Sequence, residues 1–216
     1  MKNLLLVLTT VIALSSTASA ALLNNTTSTN QKIEGIAVAK EASVSIEGQQ
    51  IPVSIIGAGL RSKKVAIMNV KVYIGELMSS DASKFVRTEA EALNSLDQSR
   101  TIAYRLNFVR GVDAATVQTS FGEAFKVNGI DTNEASVAQF LKAVANGGDA
   151  ISGKSLTIVA QKNADKTESV YYEDANGQLT KVTGPEGFSR KIMSICLGKG
   201  ADAGVDSLRA QIIKGL

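Results

Sequence analysis

The stretch IAYRLNF at residues 102–108, followed by VDAATVQTSFGEAF at residues 112–125, contains the two patterns on which the fold class rests. In the first stretch apolar side chains alternate with Ala, Arg and Asn, which is the period of a strand with one buried face. In the second, Val117, Phe121 and Phe125 recur at helical spacing after Asp113, a residue type that favours helix starts. We therefore predict a strand followed closely by an amphipathic helix.

The chain continues both periods toward its C-terminus. Helical spacing returns over residues 137–144 and stops at Gly147-Gly148. Strands are predicted at residues 155–160, 168–173 and 178–182, and the last two are joined through Asn176-Gly177, a strong hairpin signal. Two final helices are predicted from the apolar sets Phe188, Ile192, Ile195 and Val205, Leu208, Ile212.

Two further strand features are predicted toward the N-terminus. A hairpin joins residues 44–46 to residues 51–55 through Glu47-Gly48, and one long strand is predicted at residues 64–77 because both of its faces are largely apolar. Strands thus come in runs and helices in pairs, without the alternation of βαβ units. The sequence predicts an α+β fold in which an antiparallel sheet packs against helices.

The first twenty residues have the pattern of a cleavable signal peptide. Lys2 precedes an apolar run over residues 4–14, and Ala18-Ser19-Ala20 offers the small residues at which signal peptidase cleaves. The apolar run is about half of the twenty residues that a membrane-spanning helix needs. We therefore predict a signal peptide at residues 1–20, a periplasmic or secreted mature chain, and no transmembrane segment after cleavage.

The mature chain is long enough for one domain with a sizeable core. Residues 21–41 begin with a run rich in Asn, Thr and Ser, so we predict a flexible N-terminal segment there and a single domain over residues 42–216. The lone Cys196 lies in an apolar stretch and is interpreted as a buried small side chain.

The composition excludes several classes of function. Lys2 is the only charged residue in the signal, which leaves 22 basic against 20 acidic residues without long runs of either sign, so nucleic acid is not an expected partner. Histidine is absent, which removes the commonest general base and metal ligand together with every Ser-His or Cys-His nucleophile. No metal site and no cofactor are predicted.

Three motifs occur in an order that resembles one known family. GAGLR at residues 57–61 leads to KVYI at 71–74, GPEGF at 184–188 leads to IMSICLG at 192–198, and DSLR at 206–209 lies in the last helix. In these motifs the chain resembles the chalcone isomerase-like family, most closely its exported bacterial members, over roughly residues 42–216. The resemblance implies an open-faced antiparallel β-sheet packed against helices, with an apolar cleft between the two.

The resemblance also implies positions for the catalytic residues of true chalcone isomerases. The family's arginine falls on Arg61 and its helical asparagine on Asn128, whereas its hydroxyl-bearing positions fall on Met68, Phe121 and Ile195. These three side chains cannot make the hydrogen bonds that ordering of water and of a ketone requires. No catalytic residue is therefore predicted outright, and Arg61 with Asn128 is the alternative for a residual isomerase or lyase acting on an aromatic enone.

Non-catalytic members of the family bind fatty acids, and the resemblance implies the same here. Arg61 and Tyr73 would hold the carboxylate, because a guanidinium forms two parallel hydrogen bonds to it and a phenol can add a third. The predicted ligand-binding set is Arg61, Tyr73, Met68, Phe121, Asn128 and Ile195, and the predicted partner is an apolar carboxylate such as a fatty acid. Two alternatives stay open: Arg61 pairs with one of the chain's own carboxylates, or the chain is an interaction protein with a vestigial, filled cleft.

Overall fold

The computed structural model describes residues 21–216, so the predicted signal peptide lies outside the described residues. In this part of the chain eight strands and five α-helices form an α+β fold, as predicted. The strands are β1 (Leu23–Ile33), β2 (Ile36–Ile46), β3 (Gln49–Val65), β4 (Met68–Ser79), β5 (Thr101–Phe108), β6 (Ser155–Lys162), β7 (Glu168–Glu173) and β8 (Leu179–Gly184). The helices are α1 (Ala92–Ser95), α2 (Ala114–Val127), α3 (Ala135–Asn146), α4 (Phe188–Leu197) and α5 (Ala203–Lys214), with short 3₁₀ turns at Ala82–Lys84 and Leu96–Gln98.

The strands form one antiparallel sheet in which each strand pairs with its neighbours in chain order. Alternate residues on β4 to β7 point to opposite faces, as the two-residue period requires. On one face Leu77, Tyr104, Ile158 and Tyr172 join the core formed with α2 to α5. The helices therefore cover a single face of the sheet, and this face carries the larger core.

The other face is covered by the N-terminal strands. Met78, Ala103, Val159 and Tyr171 are buried there against a cluster from β1, β2 and the start of β3 that includes Val44. The Leu22 amide donates to Glu173 Oε1 over 2.9 Å, which fastens the chain before β1 to the end of β7. The first strands of the sheet therefore pack against the face of β4 to β7 that the helices leave uncovered.

A buried ion pair holds this second layer in place. Arg105 donates from Nε and Nη2 to Glu76 Oε2 at 2.8 and 2.6 Å, and Asn107 donates to the same oxygen at 2.7 Å. The other Glu76 oxygen accepts from the Ala39 amide at 2.8 Å, while Arg105 Nη1 donates to Asn25 Oδ1 at 2.7 Å. The network thus links β4 and β5 to β1 and β2 through hydrogen bonds that satisfy both buried charges.

Most local predictions are confirmed. Asp113 begins α2 and accepts a hydrogen bond from the Thr116 amide at 2.8 Å. Helix α3 ends immediately before Gly147, and Glu47-Gly48 turns between β2 and β3 with positive φ at both residues. The strands predicted at the C-terminal side and the final two helices are present as β6 to β8, α4 and α5.

Two predictions are wrong. Residues 64–77 are the end of β3, a two-residue turn at Ala66 and Ile67, and most of β4, because Ala66 adopts a φ of 51° and reverses the chain without a glycine. Residues 21–41, predicted to be flexible, contain β1 and the first part of β2. Strand β1 buries few side chains, and its backbone pairing with β2 and the buried Leu22 and Leu23 hold it.

Gly57 and Gly59 lie inside β3, where α5 crosses the strand. A Cβ atom on Gly57 would collide with the backbone carbonyl of Ile212, and one on Gly59 would lie 2.7 Å from Gln211 Cβ. The GAGLR motif is thus a close-packed segment of β3, and glycine lets the helix and the strand approach. Within residues 21–216 no helix is both long and apolar enough to cross a bilayer.

Candidate functional site

A cavity of about 300 Å³ opens between the sheet and the helices. It lies where β3 and β5 end and β4 begins. Its walls come from these strands, the loop after β5, α2, the end of α4 and the start of α5. The apolar lining consists of Val65, Val70, Val72, Leu106, Phe108, Val112, Val117, Phe121, Ala124, Ile195, Ala201 and Val205. The volume lies at the lower end of the range for small-molecule sites.

Arg61, Tyr73 and Phe108 form a row across three strands at this cavity. Arg61 pairs with Tyr73 in the β3–β4 register, and Tyr73 pairs with Phe108 in the β4–β5 register. Directly paired residues point to the same face of an antiparallel sheet, and all three line the cavity. The rings of Tyr73 and Phe108 are 5.3 Å apart between centroids. The row therefore places a cation and a phenol beside an apolar wall.

The Arg61 guanidinium is buried and already bonded within the chain. Its Nη2 donates to Asp202 Oδ2 at 2.5 Å, and its Nη1 donates to the Ser62 carbonyl. Only 9% of the Arg61 side chain is exposed, against 40% for Asp202. The predicted alternative in which Arg61 pairs with a carboxylate of the chain is thus what the structure shows, with the partner on the rim of the cavity.

Asp202 reaches Arg61 because it is also the N-cap of α5. Its Oδ1 accepts from the amides of Gly204 at 2.8 Å and Val205 at 3.1 Å, which leaves Oδ2 for the guanidinium. A Cβ atom on Gly204 would collide with the Ser62 carbonyl and with Arg61 Nη1. Glycine at this position therefore lets the first turn of α5 close over the arginine.

The Tyr73 phenol is a neutral hydrogen-bond donor whose ionisation burial opposes further. Desolvation raises the pKa of the Tyr73 phenol to about 12, although the neighbouring Tyr104 hydroxyl and the Arg61 charge act in the opposite direction. A phenol with this pKa is neutral at physiological pH and retains its O–H donor. Cys196 lies nearby on α4, fully buried, and desolvation raises the pKa of its thiol far above the usual value, so it is not a nucleophile.

The mouth of the cavity carries charges of both signs. Lys63 and Arg110 lie on the strand side, and neither forms an ion pair with another residue of the described part of the chain. Asp113 and Glu123 lie on the side of α2, together with the hydroxyls of Thr116 and Ser120. The cations of the lining thus come from β3 and the loop after β5, and these two carboxylates come from α2 and its N-cap.

The structure brings four of the six predicted ligand-binding residues to the cavity and leaves two outside. Arg61, Tyr73, Phe121 and Ile195 line it. Met68 lies on the same face of β4 but beyond the mouth, next to the turn, with 65% of its surface exposed. Asn128 follows α2, donates to the Ala124 and Lys199 carbonyls and accepts from the Lys199 amide. Arg61 and Asn128 are therefore not assembled into one catalytic site.

Sequence reasoning missed several lining residues, among them Asp202, Lys63 and Arg110. Asp202 could have been identified as a helix N-cap, since Asp is favoured there. Its contact with Arg61 spans 141 positions and has no local signal. The two cations are ordinary strand and loop residues, and what distinguishes them is the cavity mouth on which they lie.

The antiparallel sheet with helices on one face has the chalcone isomerase-like fold. A similar solved structure is that of the Arabidopsis thaliana fatty-acid binding protein AtFAP1, with a TM-score of 0.51 and 17% sequence identity, covering 79% of this chain and 95% of the other. No family model and no curated protein matches the sequence. The similarity shows a shared fold.

Proposed function

We propose that this chain binds a fatty acid or a similar apolar carboxylate in the cavity and performs no chemistry on it. The observation that supports the proposal is the juxtaposition of Arg61 and Tyr73 on paired strands at one wall of an otherwise largely apolar cavity. AtFAP1, which shares the fold, is a fatty-acid binding protein, and this agrees with a ligand of the same kind here. The open volume argues against the alternative of a filled, vestigial cleft.

The bonding of Arg61 defines how a ligand carboxylate would enter. A guanidinium has five N–H donors, and two of its nitrogens donate within the chain. A ligand carboxylate would either use the remaining donors or displace Asp202, whose half-exposed side chain can turn to solvent. The neutral Tyr73 phenol would donate a further hydrogen bond. The cation thus has an internal partner in the absence of ligand and an external one in its presence.

The apolar lining would hold the ligand tail. Each methylene removed from water contributes about 0.8 kcal/mol, and valine, phenylalanine and isoleucine side chains form most of the apolar part of the wall. We expect affinity for straight-chain acids to rise with chain length until the tail reaches the mouth beside Val65 and Val70. The two ends of the ligand would therefore be recognised by different physical effects.

Isothermal titration of Arg61→Gln with dodecanoate and with dodecanol tests the assignment of Arg61. Hydrogen bonds to a charged group contribute about 1.5–3 kcal/mol, so we expect the acid to bind roughly ten- to a hundredfold more weakly. The neutral alcohol should be nearly unaffected, because it places no charge at the arginine. Arg190→Gln is the matched control, since Arg190 is an exposed arginine of α4 paired with Asp97 outside the cavity.

Equal losses for the acid and the alcohol would assign Arg61 a purely structural role. Failure of the wild-type chain to bind either ligand would overturn the proposed function. Circular dichroism of each variant separates these outcomes from loss of the fold.

The predicted export remains part of the proposal. A signal peptide at residues 1–20 would deliver the binding domain to the periplasm or the outside of the cell, where the cavity would receive its ligand. N-terminal sequencing of protein recovered from the extracytoplasmic fraction should begin at Ala21. A start at Met1 in cytoplasmic protein would contradict it.

A further inference from the structure

The turn between β3 and β4 carries apolar side chains that are largely exposed in the described structure. The exposed fractions are 52% for Val65, 93% for Ile67 and 65% for Met68, and these are among the most exposed large apolar residues of residues 21–216. We define these three residues with Ala66 as the hairpin tip. Two-residue hairpin turns favour Asn-Gly or Asp-Gly, whereas Ala66 adopts a φ of 51° here. The turn therefore retains apolar residues at a position where they do not favour folding.

The flanks of the hairpin tip are cationic. Residues 61–71 contain Arg61, Lys63, Lys64 and Lys71 and no acidic residue. Arg61 is bonded to Asp202, and Lys71 to Glu34 at 2.7 Å. Lys63 and Lys64 form no ion pair within the described part of the chain and are both exposed. An exposed apolar apex with lysines directly behind it matches the layered chemistry of a bilayer that carries anionic headgroups.

The hairpin tip is continuous with the mouth of the cavity. Val65 belongs to both, and Lys63 and Val70 pair with each other and line the cavity directly behind the tip. We propose that the hairpin tip docks into the surface of an anionic lipid bilayer, with Ile67 and Met68 inserted between acyl chains and Lys63 and Lys64 on the headgroups. Docking in this orientation brings the cavity mouth against the lipid. The inference goes beyond the binding of an acid, since docking does not require an occupied cavity.

The absence of tryptophan from the sequence allows a direct test. Ile67→Trp places a single reporter at the apex of the hairpin tip of the full chain. Mixed with vesicles of phosphatidylcholine and phosphatidylglycerol, this variant should show a blue-shifted emission that brominated acyl chains quench. Leu179→Trp is the matched control because Leu179, at the start of β8, is another exposed apolar residue, with 48% of its surface exposed. Its emission should not shift.

Charge variants of the same reporter test the second layer. Lys63→Gln with Lys64→Gln should weaken vesicle binding at least tenfold, because each basic residue near an anionic surface contributes about a fivefold factor. Lys142→Gln with Lys154→Gln, both exposed lysines outside the cavity lining, should change it little. Raising the salt concentration should reproduce the effect of the first pair.

Three results would overturn the proposal. The first is an emission spectrum of Ile67→Trp that vesicles do not change. The second is equal shifts for Ile67→Trp and Leu179→Trp, which would mean general adsorption. The third is a blue shift that depends on protein concentration without vesicles and accompanies dimers in sedimentation, which would make the hairpin tip a contact between two copies. Dodecanoate titration of Ile67→Trp reports the proposed function separately, because Ile67 lies outside the cavity lining and the substitution leaves Arg61, Tyr73 and Lys63 in place.

Discussion

Gly57 illustrates at the scale of one residue how β3 and α5 come together. The strand passes so close to the helix that the space of its missing Cβ is occupied by the Ile212 carbonyl, which is backbone and cannot rotate away. Gly122, in contrast, lies inside α2 with no atom within 4 Å of the position of a Cβ. The same substitution should therefore have opposite effects at the two glycines.

We expect Gly57→Ala to lower the free energy of unfolding by about 2–3 kcal/mol, because overpacking forces the helix away from the strand. Gly122→Ala should raise it by roughly 0.5–1 kcal/mol through the better helix propensity of alanine. Urea denaturation followed by circular dichroism measures both changes. A neutral Gly57→Ala would show that α5 is free to shift.

At the scale of an element, Asp202 both caps α5 and pairs with Arg61, and different substitutions separate these two roles. Asparagine can still accept hydrogen bonds from the Gly204 and Val205 amides, so it retains the N-cap of α5, but it does not carry the charge that holds Arg61. Alanine removes both. The pair of variants thus distinguishes the stability of α5 from the availability of the guanidinium.

On the proposed function, Asp202→Asn should bind dodecanoate about fivefold more tightly, because roughly 1 kcal/mol of competing interaction is removed. Its thermal stability should fall less than that of Asp202→Ala, because both variants leave Arg61 without its counter-ion but asparagine keeps the N-cap. Asp202→Ala should lose about 1 kcal/mol of stability with the cap. Weaker binding by Asp202→Asn, measured by calorimetry, would mean that Asp202 orients Arg61 for the ligand rather than competing with it.

At the scale of the whole molecule, the Glu76–Arg105 network connects β4 and β5 to β1 and β2, which cover the face of the sheet opposite the helices. Glu76→Gln leaves Arg105 buried without its counter-ion, and removal of one partner of a buried pair typically costs about 3–5 kcal/mol. Hydrogen exchange should accelerate more in β1 and β2 than in β6 or β7. Glu34→Gln, which breaks an exposed pair with Lys71, is the control and should cost less than about 1 kcal/mol. Uniform acceleration across the sheet would contradict the linking role.

Alkaline pH should destabilise the whole fold through its buried tyrosines. The folded pKa of Tyr73 is raised to about 12, and an unfolded tyrosine titrates near 10. Folding therefore favours the protonated phenol. The contribution of Tyr73 to the free energy of unfolding is complete below pH 10 and is lost as the pH rises from 10 through 12. Tyr73→Phe should flatten that part of the stability curve. A native ultraviolet titration with a single midpoint near 10 for all tyrosines would contradict the expectation.

Short-range patterns in the sequence were enough to predict several strands, helices and turns and the fold class. The strand at residues 102–108, the helix capped by Asp113, the Glu47-Gly48 turn and the α+β class all follow from side-chain period and turn chemistry, which act over a few residues. The family resemblance added Arg61, Tyr73, Phe121 and Ile195, which the structure places on one cavity.

The remaining features became visible only in the tertiary structure. The Ala66–Ile67 turn lies inside an apolar run, and its reversal depends on the pairing of β3 with β4 rather than on a turn residue. Strand β1 has a sequence typical of a polar, flexible segment. It is held by pairing with the backbone of β2 and, just before the strand, by a hydrogen bond to a residue far along the chain, and neither interaction leaves a local signal in the sequence. The contact between Arg61 and Asp202 exists because α5 returns over the glycines of β3. Each of these features depends on residues distant in sequence. The local spacing of apolar residues does not indicate which distant residues will be in contact.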